Sequence, residues 1–150
     1  MSEREDFMAW VGSRLKDAET ALHNGDAAPR FAIWSRREPV TVLGAWMSGS
    51  GTEDVGNIFR QLEASFSECT SYTHEVIAAD VIGDMAYTVG YEHTSTSVNG
   101  EPRDYTLRVT QVGPTHTARP LASVPRAVVI SPTKNVLLVP SVTSLVEILL

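Results

Sequence analysis

Cys69 is the single cysteine in 150 residues, which excludes an intramolecular disulfide and leaves an apolar core to hold the fold. Positive charge is also in short supply. The formal net charge is −6, the pI is near 5.1, and Arg36-Arg37 is the only adjacent cationic pair. No basic patch is available to neutralise phosphates, so nucleic acid is not an expected partner. Long apolar runs are missing as well: the most apolar stretch, Val136 to Leu150, is too short to span a bilayer and is interrupted by Pro140 and Glu147, so no membrane partner is expected. The opening Met1-Ser2-Glu3-Arg4-Glu5-Asp6 lacks the basic-then-apolar order of a secretory signal, and the expected location is cytoplasmic.

Residues 113–150 lack something further. They hold none of the 11 aromatics and only four of the 30 charged residues, but five of the eight prolines. This break predicts a domain over residues 1–112 followed by a divergent or foreign tail, one explanation being a change of reading frame near Val112. Within the tail, Ala127-Val128-Val129-Ile130 and Asn135-Val136-Leu137-Leu138-Val139 are candidate strands.

What is present is most legible between Tyr72 and Val112. Val98-Asn99-Gly100-Glu101 places Asn-Gly, the pair best suited to the positive φ angles of a type I′ turn, between two strand-like runs. The register that follows sets Tyr91 opposite Arg108, Val89 opposite Thr110, His93 opposite Thr106 and Tyr87 opposite Val112. The turn Ile82-Gly83-Asp84-Met85, treated alike, pairs Val76 with Tyr91, His74 with His93 and Ala78 with Val89. One face then carries His74, Tyr91, His93, Arg108 and Thr110, unless a bulge intervenes and scatters it.

Upstream, Phe7, Trp10, Val11, Leu15, Ala18 and Leu22 recur at three- and four-residue steps and predict a helix that ends at Asn24-Gly25-Asp26. A short helix around Pro29–Ser35 follows, then an extended run from Val40 to Trp46. The loop Ser48-Gly49-Ser50-Gly51-Thr52 lacks the lysine of a phosphate-binding loop. It reads as a connection to a helix over Glu53–Phe66 with Thr52 as its cap. No cofactor is implied. His74 and His93 would be two metal ligands without a third, so no metal site is expected.

The order helix, short helix, strand, helix and strand meander resembles the nuclear transport factor 2-like superfamily, and within it the SnoaL-like and ketosteroid isomerase-like proteins. The matching residues are Ala21-Leu22-His23-Asn24-Gly25-Asp26, Trp34-Ser35 with Glu38-Pro39-Val40-Thr41, and Ala86 to Glu92 facing Leu107-Arg108-Val109-Thr110. The resemblance implies an α+β cone, a curved antiparallel sheet packed on N-terminal helices around a ligand cavity, and a homodimer. It does not carry over the ketosteroid isomerase residues: Ala18 stands at the tyrosine position, Gly44 at that of the base and Thr110 at that of the protonated acid. The epoxide hydrolase spacing likewise reads Arg108-Val109-Thr110, without the carboxylate. SnoaL-like cyclases place an acid/base residue on the sheet, which points to His93 or His74.

The expected partner is therefore a small apolar molecule. His74, His93, Tyr91 and Arg108 are the candidate catalytic residues, since histidine near neutrality exchanges protons while tyrosine and arginine polarise a carbonyl or hold an anion. Trp34, Trp46, Val89 and Thr110 are the candidate ligand-binding residues. Two functions stay open: an acid/base isomerase, cyclase or dehydratase, or a non-catalytic ligand-binding or dimerisation module.

Overall fold

A computed structural model describes residues 2–114 and 126–132. Helix α1 (Glu3–Trp10) opens with a capping box, in which the Glu5 amide donates to the Ser2 hydroxyl and the Ser2 amide donates to the Glu5 carboxylate. A π-helical turn at Val11–Leu15 joins it to α2 (Lys16–Leu22), so the predicted single helix is continuous but locally widened. It ends as expected at Gly25, whose φ of 83° closes the turn. The short α3 (Ala28–Ile33) follows, with Pro29 in its first turn.

Strand β1 (Val40–Leu43) is shorter than the predicted run, and the glycine-rich segment is not a plain loop: Ser48–Ser50 forms β2, which pairs antiparallel with β1. Gly44 N–H donates to the Met47 carbonyl at 2.9 Å to make the tight reversal between them. Helix α4 (Thr52–Ser65) starts one residue early, and Thr52 is not its cap. Its first amide instead donates to the Glu38 carboxylate, which discharges the same orphan-donor requirement from a distance.

The meander is β3 (Phe66–Ile82), β4 (Met85–Val98) and β5 (Glu101–Pro114). All four predicted β4–β5 pairs are present. On the β3 side Ala78 faces Val89 as expected, but a bulge at Ile77 then shifts the ladder by one residue. Val76 faces Gly90 rather than Tyr91, and His74 faces Glu92 rather than His93. The predicted run Ala127–Ile130 lies inside β6 (Arg126–Pro132), which pairs antiparallel with β5 and parallel with β1; the run Asn135–Val139 lies outside the described residues. The sheet order is β2-β1-β6-β5-β4-β3, an α+β arrangement in which the sheet packs on the N-terminal helices.

Burial alternates along β4 and β5. Ala86, Thr88, Glu92, Thr94 and Thr96 of β4 face inward with Tyr105, Leu107 and Val109 of β5. One end of the core joins Leu22, Val40, Val42, Val55, Ile58, Phe59 and Phe66 from both helices and sheet, each large side chain worth about 1.5–3 kcal/mol of burial. The other end packs Phe7, Val11 and Leu15 on Ala79 and Ala86.

Candidate functional site

Between these two ends the interior is polar. Glu19 leaves the apolar stripe of α2 to meet Arg30 of α3 in a buried ion pair of 2.6 Å. The Arg30 guanidinium lies 4.9 Å from the centre of the Trp34 ring and 5.5 Å from that of Phe59, and these aromatic faces fix its plane. Glu92, 4% exposed on the inner face of β4, receives hydrogen bonds on Oε1 from Tyr72 Oη at 2.8 Å and Gln111 Nε2 at 3.4 Å.

Burial, with the Glu19 charge adding to it, pushes the Glu92 carboxyl up to about 8, far above the ordinary range of a glutamic acid. Glu92 is thus a neutral acid near pH 7. Because Oε1 already accepts two hydrogen bonds, the proton belongs on Oε2. Burial first, and the neighbouring Glu92 second, keep the Tyr72 and Tyr105 phenols protonated. Tyr105 Oη is buried with no well-aligned hydrogen-bond partner.

His23, at the C-terminus of α2, stacks on Phe66 at 4.6 Å. Its Nδ1 lies 2.7 Å from the Glu19 carbonyl. A carbonyl only accepts, so Nδ1 carries the hydrogen and Nε2 keeps the lone pair of a neutral ring. Burial lowers the His23 pKa and preserves that neutral form.

These groups border a cavity of about 80 Å³ whose apolar wall includes Trp46, Met47, Phe59, Phe66 and Leu107, and whose polar wall is Glu19, His23, Arg30, Glu92, Tyr105 and Gln111. That is room for several waters or one small organic molecule. Among the described residues no three histidine, cysteine or carboxylate side chains converge as a metal site.

No protein-family model matches the chain, and no curated protein matches it by sequence. Solved structures do match. A candidate dehydratase of the nuclear transport factor 2-like family from Streptomyces avermitilis superposes with a TM-score of 0.65 at 15% identity, over 85% of this chain and 94% of its own. A nuclear transport factor 2-like superfamily protein from Salmonella enterica gives 0.66 at 16%, over 90% and 94%. The CaMKII hub of S. rosetta gives 0.60 at 15%, over 83% and 95%. The chain has the nuclear transport factor 2-like fold.

Within that fold the residues singled out from sequence separate. Tyr91, His93, Arg108, Thr110 and Val89 lie on the outer face of β4 and β5, away from the cavity. There His93 is held by Glu75 and Thr106, both at 2.9 Å. His74 does not share that face. The bulge turns it inward opposite Glu92, where both ring nitrogens are buried without a hydrogen bond and burial lowers its pKa. Trp46 lines the cavity; Trp34 borders a smaller neighbouring cavity and a surface cleft. Gly44 sits in the cavity wall, but a Cβ there would lie 2.5 Å from the Met47 carbonyl, so the reversal admits no side chain.

Glu19, His23, Arg30, Glu92, Tyr105 and Gln111 escaped the sequence reading. One signal was available: the predicted register sets Glu92 opposite Leu107, on the apolar side of β5. No described helix is long and apolar enough to cross a membrane.

Proposed function

We propose that the chain is an acid/base enzyme, working by proton transfer on a small, largely apolar carbonyl compound in reactions of isomerase or dehydratase type. The observation that carries this reading is the Glu92 carboxyl buried in the wall of a largely apolar cavity, an environment that favours its neutral form. Such a group donates a hydrogen bond or a proton near pH 7, which an ionised glutamate cannot do.

In this reading Glu92 Oε2–H, with Tyr105 Oη–H, donates hydrogen bonds to the substrate carbonyl and keeps its proton, while His23 Nε2 takes a proton from the adjacent carbon to give an enolate. Where the substrate is a β,γ-unsaturated carbonyl compound, return of that proton from His23 to the γ-carbon moves the double bond and completes an isomerisation. Where a hydroxyl lies β to the carbonyl, the enolate expels it as it takes the proton back from His23, releasing water and leaving an α,β-unsaturated carbonyl with His23 and Glu92 in their starting states. Tyr72 and Gln111 position Glu92, and the Arg30 ion pair balances Glu19 beside it.

The test uses pentan-2-one in D2O, with exchange of its α-hydrogens followed by NMR. Glu92→Gln and His23→Gln should each slow catalysed exchange by about 100-fold or more, while quenching of Trp46 fluorescence by the ketone persists. Exchange that is absent from the wild-type chain, or unchanged in both variants, overturns the reading.

A further inference from the structure

A second cavity, of about 40 Å³, adjoins the first. Arg30 and Gln111 line both, while Phe7, Trp10, Ile33 and Ala86 close the far side. Arg30 is 5% exposed and its Nη1 is engaged by Glu19, yet its Nε–H is buried with no hydrogen-bond partner. A buried donor without an acceptor is costly and uncommon in folded proteins. Here it belongs to the only cationic side chain among the described residues that lines both chambers.

From this we infer that the substrate of the proposed site is two-armed: a neutral carbonyl compound whose oxygen accepts from the Arg30 and Glu92 side of the partition, with a short arm in the Trp46 chamber and an apolar, ring-sized arm in the Trp10 chamber. The inference rests on the proton-transfer reading and names its substrate class. Neutrality follows from charge. Glu19 already balances Arg30, so a ligand carboxylate would bring a second anion next to Glu19 without a second cation, in a site where burial penalises charge. The aromatic closure by Phe7 and Trp10, stacked at 6.2 Å between centres, suits a ring or branched alkyl arm.

Calorimetric binding of four probes separates the parts. 4-Phenylbutan-2-one carries both arms, pentan-2-one only the short one, butylbenzene lacks the oxygen, and 4-phenylbutanoate replaces the ketone with an anion. The two-armed ketone should bind at least about tenfold more tightly than each of the other three. Ala86→Leu, which fills the second chamber, should weaken the two-armed ketone by about tenfold and leave pentan-2-one within about twofold. Arg30→Lys, which keeps the charge opposite Glu19 but removes the Nε–H, should erase the preference for ketone over butylbenzene.

Because Ala86→Leu is tight, the second chamber is also read without filling it: the total tryptophan quenching by 4-phenylbutan-2-one should fall in a Trp10→Phe variant, whereas that by pentan-2-one should be unaffected by the change. If pentan-2-one binds and the longer ketone binds no better, the second chamber is not a subsite and only this inference fails. Ketone preference that survives in Arg30→Lys overturns the role given to Nε. If neither ketone binds, the proton-transfer reading fails and takes this inference with it.

Discussion

At neutral pH a carboxyl held near 8 is mostly the neutral acid, and that state has a cost that shows in stability. In the unfolded chain the same group ionises at about 4.3. Between these values the unfolded state releases a proton that the folded state retains, so Glu92 makes stability fall as pH rises from about 4.5 to about 8, and contributes no further slope above that. His23 and His74 act in the opposite sense. Burial holds both below the ordinary histidine value, so the unfolded chain takes up protons first and stability falls as pH drops below about 6.5. Glu92→Gln should therefore raise the melting temperature at pH 8 more than at pH 5, flattening the alkaline limb and leaving the acid limb in place. Thermal melts of both chains from pH 4.5 to 9 check this. An unchanged alkaline limb would show that Glu92 is ionised in the fold. Sequence reasoning did not reach Glu92 because its cost is paid by the groups around it. Tyr72 arrives from β3, Gln111 from β5 and Glu19 from α2, and only assembly turns an ordinary glutamate among threonines into a neutral acid.

Among the elements, β3 decides which of its neighbouring histidines, His74 or His93, faces the interior. The extra residue Ile77, 62% exposed, lets Ala79 and His74 both point inward although they are five positions apart, which strict alternation forbids. Gly90 accommodates the bulge: a Cβ there would lie 2.0 Å from the Glu75 carbonyl. Gly90→Ala should thus destabilise the chain by about 3 kcal/mol or more, the upper range for overpacking. In a chain that also lacks Ile77 the penalty should shrink by at least half. Urea denaturation of the four chains in this double-mutant cycle measures the coupling, and additive costs would separate Gly90 from the bulge. The helices and the β4–β5 hairpin were legible because their signals are local, an apolar stripe of period near 3.6 and an Asn-Gly turn that fixes register. A bulge has no comparable signature in Val76-Ile77-Ala78, and one unseen residue reversed the face assigned to His74. The Thr52 cap was misread for a related reason, since the group that replaces it, Glu38, is 14 residues away.

For the whole molecule, composition and pairing divide the chain differently. Composition proposes a boundary at Val112, whereas β5 runs on to Pro114 and β6 sits between β5 and β1. The two are compatible, because a ladder is made of backbone groups and an apolar, β-branched run such as Ala127–Ile130 serves whatever its origin. Ending the chain after Pro114 should lower the melting temperature by several degrees and raise light scattering, as it uncovers the paired edges of both β1 and β5. A truncated chain that melts with the full one would support the foreign-tail proposal. The strand order also has a consequence for biosynthesis. Strand β1 is made from residues 40–43 but meets the rest of the sheet only through residues 126–132. While the ribosome is still translating, the β1–β2 hairpin and the β3–β5 meander are separate pieces with open edges. Closure waits until residues 126–132 have emerged, and until then the nascent chain is a natural client for chaperones.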